Sequence, residues 1–229
     1  MEQKYRTTLA AVAFIDVLGS SEAIKTNADE SLNAIHIAYD ESIIQLKKYH
    51  SEYIYEPKVN IFSDNIILSN DIIEGKEDCA LYSIIFFSAL LQMNMWVNGL
   101  LARGGISCGN FFSDKRMIWG NALIRAYTLE GQIAIYPRII VETEIAEIIY
   151  SMLQSKKVKL LCKDFDGMYF VDSFGINKKE IGLYLIEKFI DDNMIRLKNC
   201  QGNLKVYQKV NWLQQYFCEK YREMTGYKS

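Results

Sequence analysis

Apolar positions along the chain alternate in some stretches and recur at helical spacing in others, which predicts a mixed series of strands and helices. Residues 9–18, LAAVAFIDVL, are apolar and β-rich and stop at Gly19-Ser20-Ser21, so the pattern reads strand, turn, helix. From Ser21 to about Tyr49, Ala34, Ile35, Ala38, Ile43, Ile44 and Leu46 make one apolar helix face with Lys and Glu outside. After a boundary near Pro57, Lys58–Ser63 and Asn65–Ser69 alternate as two short strands meeting at Asp64. A long helix is predicted from Glu77 to Asn98. LLARGGISCGNFF then reads as a strand with a glycine-marked bend, WGNALIRAYTLEGQIA as a helix, and YPRIIVE as a strand opened by Pro137. A short helix over 143–154 leads to VKLLCKDFDGMYFVD, two strands about Asp164 to Gly167. Two helices over about 178–226 follow, with a polar break at Asn199 to Asn203.

Strands and helices mix here without strict alternation, which favours an α+β fold with a mainly antiparallel sheet. The order strand, helix, hairpin, helix, strand is that of a ferredoxin-like split βαβ core. We expect this core over 1–175 and a C-terminal helical extension over 176–229.

Composition narrows the chemistry. With 26 basic and 28 acidic residues the net charge is −2, so no global field recommends nucleic acid or an anionic membrane as partner. The most apolar run, CALYSIIFFSALLQMNMWVNGLLA, is interrupted by Ser, Gln and Asn and reads as a core helix rather than a membrane span. The N-terminal MEQKYRTT has no secretory pattern, and a cytoplasmic location is expected. Five cysteines, an odd number without a CxxC pair, read as buried reduced thiols. His36 and His50 lie in a polar helical stretch away from any acidic cluster, so zinc or serine-triad chemistry is poorly supplied. A metal here would need oxygen ligands.

Two carboxylates stand out. Asp16 lies near the end of the first strand, and Asp64 interrupts IFSDNIILS, which is otherwise apolar enough for a sheet interior. In a split βαβ core the hairpin lies beside the first strand, so the two can face each other. Like charges that close repel unless a cation lies between them, and carboxylate oxygens suit Mg²⁺ or Mn²⁺. After Asp16, VLGSS runs into a helix, where Gly19 and Ser20 offer free N–H groups to a phosphate. Singly, Asp16 and LGSS also read as an ordinary strand end and helix cap, and Asp64 as a turn residue.

In order and spacing, AFIDVLGSS, NIFSDNI, ARGGISCGNFF and IWGNALIRAYTLE resemble the motifs of class III nucleotide cyclases, over about residues 8–142. Within that class the chain looks like the short pyrimidine cyclases of bacterial Pycsar anti-phage systems. The resemblance implies a homodimer with active sites at the interface. It also implies two divalent ions held by Asp16 and Asp64, with a backbone carbonyl near Ile15 or Val17, and conversion of a nucleoside triphosphate to a 3′,5′-cyclic nucleotide and pyrophosphate.

Departures from the purine cyclase pattern point to the base. Four residues before the second Asp, where those enzymes read adenine with lysine or guanine with glutamate, this chain has Asn60, and Met117 stands at the second reading position. The amide of Asn60 can pair with a pyrimidine edge, which favours UTP or CTP; a pocket that lost its specificity would look the same. On the motif helix Ile124 replaces the asparagine and Thr128 the arginine that serve the transition state. Arg125 and Arg103 are the candidate replacements, and Lys163, before the DFDG turn, is either a phosphate contact or a surface lysine. A purine cyclase with altered base contacts and a non-catalytic cyclase-like domain remain open readings.

Overall fold

A computed structural model describes residues 5–49, 54–155, 159–176 and 182–226; His50 and the expected helix start near Lys178 lie outside them. In chain order the elements are β1 (Thr8–Leu18), α1 (Ser20–Lys48), β2 (Lys58–Phe62), β3 (Asn65–Asp71), α2 (Glu77–Val97) and β4 (Leu101–Ser113). They continue with β5 (Ile118–Gly120), α3 (Asn121–Thr128), β6 (Ile139–Val141), α4 (Thr143–Ser155), β7 (Leu161–Lys163), β8 (Tyr169–Val171), α5 (Leu183–Asn199) and α6 (Leu204–Thr225). One sheet runs β2-β3-β1-β4-β6-β8-β7, with β5 paired to β4 off this path. Every pairing is antiparallel except β4 with β6. The expected α+β architecture with C-terminal helices is therefore the observed one.

Side-chain alternation separates the two faces of the sheet. Ala11, Ala13, Ile15 and Val17 of β1, with Ile66, Leu68, Ala102 and Ile106, join the apolar sides of α1, α2 and α4 in the main core. On the other face Ala10, Val12, Ile67 and Phe111 meet Ala122 of α3. The run containing α2 is long and apolar enough to cross a membrane, yet 89% of its apolar window is buried within this chain. Its polar interruptions have partners: Asn94 Nδ2 donates to Ser42 Oγ at 2.9 Å, and Ser173 Oγ donates to Gln92 Oε1 at 2.8 Å. Satisfied in this way, buried amides need not be expelled to the surface.

The motif helix starts later than its sequence pattern predicts. Trp119 and Gly120 belong to strand β5, and the helical turns begin at Asn121. Gly120 has φ +150°, and a Cβ there would meet the carbonyl of Asn110 on the paired strand, so the chain can turn from strand to helix here only with glycine. After Thr128 the helix widens into a π turn over Leu129–Ile133. At the sheet's other end, α5 and α6 pack around Trp96, Phe170 and Phe174 through Phe189, Trp212, Tyr216 and Phe217. The five cysteines are free thiols; burial pushes the pKa of Cys108 and of Cys162 up to about 12, which leaves both thiols unreactive.

Candidate active site

Asp16 is flanked in the sheet by Asn65 of β3 and Arg103 of β4. Directly opposed residues share a face, so all three project to the side that carries α3. Ile15 and Val17 project to the other side, where they are buried in the main core. Only their backbone atoms are free to serve the site. Asp64 lies in the two-residue turn between β2 and β3, beside Ser63 with φ +56°.

Three hydrogen bonds strap this turn in place. The Asp64 carbonyl accepts the Val17 N–H at 3.0 Å. Its carboxylate accepts the Ser20 hydroxyl and, at 3.1 Å, the Asn65 side-chain amide. The hairpin tip is thus tied both to the end of β1 and to the first turn of α1. Gly19, with φ +81°, precedes that turn, and no side chain caps it. Ser20 turns its hydroxyl to Asp64 instead.

The electrostatics follow from this packing. Ser20 donates to Asp64 and holds its carboxyl below the usual carboxylate range. Asp16 is pushed the other way by burial and by the charge of Asp64, against the pull of Arg103. Arg103 has a second claimant: its Nε lies 2.5 Å from Glu130 Oε1 in the π turn and 3.6 Å from Asp16 Oδ2. Burial also pushes Glu130 up, with the Arg103 charge opposing and that of Asp16 adding. One guanidinium therefore serves two carboxylates while a third, Asp64, faces the same cluster.

That imbalance suits a divalent cation. Among the described residues no group of three or more His, Cys, Asp and Glu forms a ready metal cage. A bound ion would rest on Asp16 and Asp64 and complete its shell with backbone carbonyl and ligand oxygens, the hard donor set of Mg²⁺ or Mn²⁺. The side chains present fit such an ion.

Other candidate residues are distributed more widely. Asn60 lies opposite Ile67, which lies opposite Phe14, so it shares the face of Asp16; its Nδ2 donates to Ser113 Oγ at 3.1 Å. Arg125 is grouped with Glu142, at 3.4 Å, rather than with Asp16 and Asp64 of its own chain. Glu142 in turn accepts from Ser107 at 2.7 Å. Thr128 donates back to the Ile124 carbonyl at 2.8 Å, and Ile124 is exposed. Lys163 lies on the edge strand β7 with its ammonium 5.2 Å from the Tyr169 ring centroid, far across the sheet from β1.

The pairings of three acids are not legible from the motifs. Glu130 ends the IWGNALIRAYTLE segment, and its signal was that an acid in an apolar helix face needs a cation; only the π turn sets it against Arg103. The acids of the DFDG turn also have a fixed role, since Asp164 and Asp166 both pair with Arg138, whose side chain is fully buried. Removing either acid would leave a buried charge short of partners.

No protein-family model matches the sequence, and no curated protein matches it. Solved structures do. The catalytic core of a rhodopsin-guanylyl cyclase with converted specificity, in complex with ATPalphaS, aligns over 73% of this chain and 96% of its own at 17% identity and TM-score 0.50. The adenylyl cyclase CyaB from P. aeruginosa aligns over 73% and 95% at 16% identity and TM-score 0.47. An adenylate/guanylate cyclase/hydrolase from Silicibacter pomeroyi aligns over 73% and 96%, also at 16% and 0.47. At such identities the likeness is one of fold, and the first of these carries it: this chain has the class III nucleotide cyclase fold.

Proposed function

We propose that the chain is a metal-dependent pyrimidine nucleotide cyclase that converts UTP, or alternatively CTP, to the 3′,5′-cyclic nucleotide and pyrophosphate. The observation that carries this reading is the strapping of the Asp64 turn onto the strand of Asp16. Ser20 and the Val17 N–H fix the Asp64 carboxyl beside the strand of Asp16, whose own pKa is raised by burial first and by the Asp64 charge second, an arrangement that stability alone does not favour. In the reaction the ribose 3′-oxygen bonds to the α-phosphorus, the bond from that phosphorus to the β-phosphate bridging oxygen breaks, and pyrophosphate leaves. Divalent ions on Asp16 and Asp64 would lower the pKa of the attacking hydroxyl and offset phosphate charge. Asp64 is kept ionised by Ser20, ready to accept that role. The uncapped N–H groups beyond Gly19 face an anion favourably, and Asn60 offers a neutral amide to a pyrimidine edge.

A homodimer fits the surface. Phe62 on β2 is 76% exposed, Trp119 on β5 66% and Ile124 on α3 65%, a set of large apolar side chains that an isolated chain leaves wet. The role as a second-messenger source in antiviral defence rests on the resemblance to Pycsar cyclases. One observation favours a second reading, a cyclase-like domain that binds nucleotide without turning it over: Arg125 is engaged by Glu142, and Ile124 and Thr128 offer no charge.

The test is to incubate the full chain with Mn²⁺ and each of the four nucleoside triphosphates and to identify products by mass. Cyclic UMP or cyclic CMP that disappears in Asp64→Ala is the expected result, with base preference altered in Asn60→Lys. Nucleotide binding without turnover of any of the four would favour the second reading.

A further inference from the structure

Helix α6 is pinned to the sheet by Trp212. Its indole N–H donates to Asp164 Oδ2 at 2.9 Å, its ring stacks on Tyr136 at 5.7 Å, and the Arg138 guanidinium lies 5.8 Å from its centroid. Arg138 stands beside Arg103, because Gly104, the next residue of β4, donates its N–H to the Arg138 carbonyl at 3.1 Å. Lys209 lies one helical turn before Trp212 and on the same side of α6. Lys209 thus lies on the side of α6 that Trp212 anchors at Asp164 and Arg138. It is half-buried there, and its ammonium feels the charges of Arg103, Asp16 and Glu130 together.

The neighbouring arginines and Lys220 are already committed. Arg103 is paired with Glu130 at 2.5 Å, Arg125 with Glu142 at 3.4 Å, Arg138 with Asp164 and Asp166, and Lys220 with Asp172 at 2.7 Å. Among the described residues Lys209 and its exposed neighbour Lys205 have no carboxylate in ion-pair contact, and of the two only Lys209 is half-buried. A nucleoside triphosphate brings about four negative charges to a cluster that already holds three carboxylates, so uncommitted positive charge beside Asp16 has a clear use.

We propose that Lys209, supplied by the C-terminal helix of the same chain, binds the phosphates of the nucleoside triphosphate at the Asp16–Asp64 site. It contributes the positive charge that Ile124 and Thr128 do not. The inference rests on the function proposed above and deepens it, because it makes α6 part of the substrate site.

The experiment compares the wild-type chain with Lys209→Met, Lys209→Arg and the exposed control Lys198→Met in Mn²⁺, with inorganic tripolyphosphate titrated calorimetrically and cyclic-nucleotide formation followed in parallel. Loss of a charge-assisted phosphate contact predicts about ten-fold weaker tripolyphosphate binding and about a ten-fold rise in KM for Lys209→Met. Lys209→Arg should recover most of both, and Lys198→Met should match wild type. If Lys209→Met fails to fold, Lys209→Gln takes its place, with the melting temperature as the check. Unchanged tripolyphosphate affinity and KM, or faster turnover in Lys209→Met, overturns the proposal while leaving the cyclase reading intact. A wild-type chain that binds neither tripolyphosphate nor any nucleoside triphosphate overturns both.

Discussion

Asp16 is a carboxylate that the fold keeps in a place it would not choose for stability. Burial and the Asp64 charge raise its pKa, and Arg103, shared with Glu130, offsets them only in part. The folded state therefore holds the Asp16 proton more tightly than the unfolded chain does. Between the ordinary carboxylate range and the raised value, folding takes up a proton, so this residue's contribution to stability falls as pH climbs through that window. Asp16→Asn removes the effect, and its melting temperature should exceed that of wild type at pH 7, with the gap closing below the ordinary carboxylate range, where Asp16 is protonated in both states. Added Mn²⁺ should raise the melting temperature of wild type more than that of Asp16→Asn. Thermal melts across pH with and without Mn²⁺ check both; an Asn variant that melts lower at pH 7 would mean that Arg103 outweighs burial. Asp64 has the opposite sign: Ser20 lowers its pKa, so its contribution is present at neutral pH and is lost as acid protonates it.

At the scale of elements, the glycines of ARGGISCGNFF turn out to be packing devices. A Cβ on Gly105 would meet the Ala126 carbonyl and the Leu129 side chain, so α3 lies directly on the backbone of β4. That contact sets the height of the π turn and with it the reach of Glu130 to Arg103. Gly105→Ala should cost about 1–3 kcal/mol in chemical denaturation, as overpacking usually does, and should reduce activity by displacing Glu130 from Arg103. Wild-type stability in this variant would show that α3 can retreat without consequence. WGNALIRAYTLEGQIA reads as helical from its first residue, yet the WG pair belongs to β5. Cross-strand pairing of Trp119 with Phe112 overrode that local pattern, as tertiary pairing commonly does.

At the scale of the molecule, Phe62 on β2, Trp119 on β5 and Ile124 on α3 stay mostly exposed among the described residues. If they are the seam of a homodimer, Phe62→Glu or Ile124→Asp should shift the sedimentation profile from dimer toward monomer and suppress activity, while leaving the far-ultraviolet spectrum unchanged. A wild-type chain that sediments as a monomer up to high concentration would exclude that seam. The buried α5–α6 cluster is separate from this surface: Trp96, Phe174, Phe189 and Phe217 pack on one another and leave α6 fixed at Trp212.

By itself the amino-acid order determined most of the succession of strands and helices, the split βαβ core and the place of Asp64 in the turn of a hairpin, because each is written in local periodicity, turn residues and the spacing of motifs. It also marked Asn60 as a neutral side chain at a base-reading position, and the strand register then put it on the face of Asp16. What only the tertiary structure decided was which charge meets which. Arg103 and Arg125 look alike in the chain, yet the sheet register delivers the first to Asp16, while the end of β6, tied to β4, gives the second to Glu142. Lys163 and Lys209 both lie far along the sequence from Asp16. The edge strand carries one away from it, while the other stands one helical turn from the Trp212 anchor and feels the charge of Asp16, a difference made by long-range packing that no window of sequence contains.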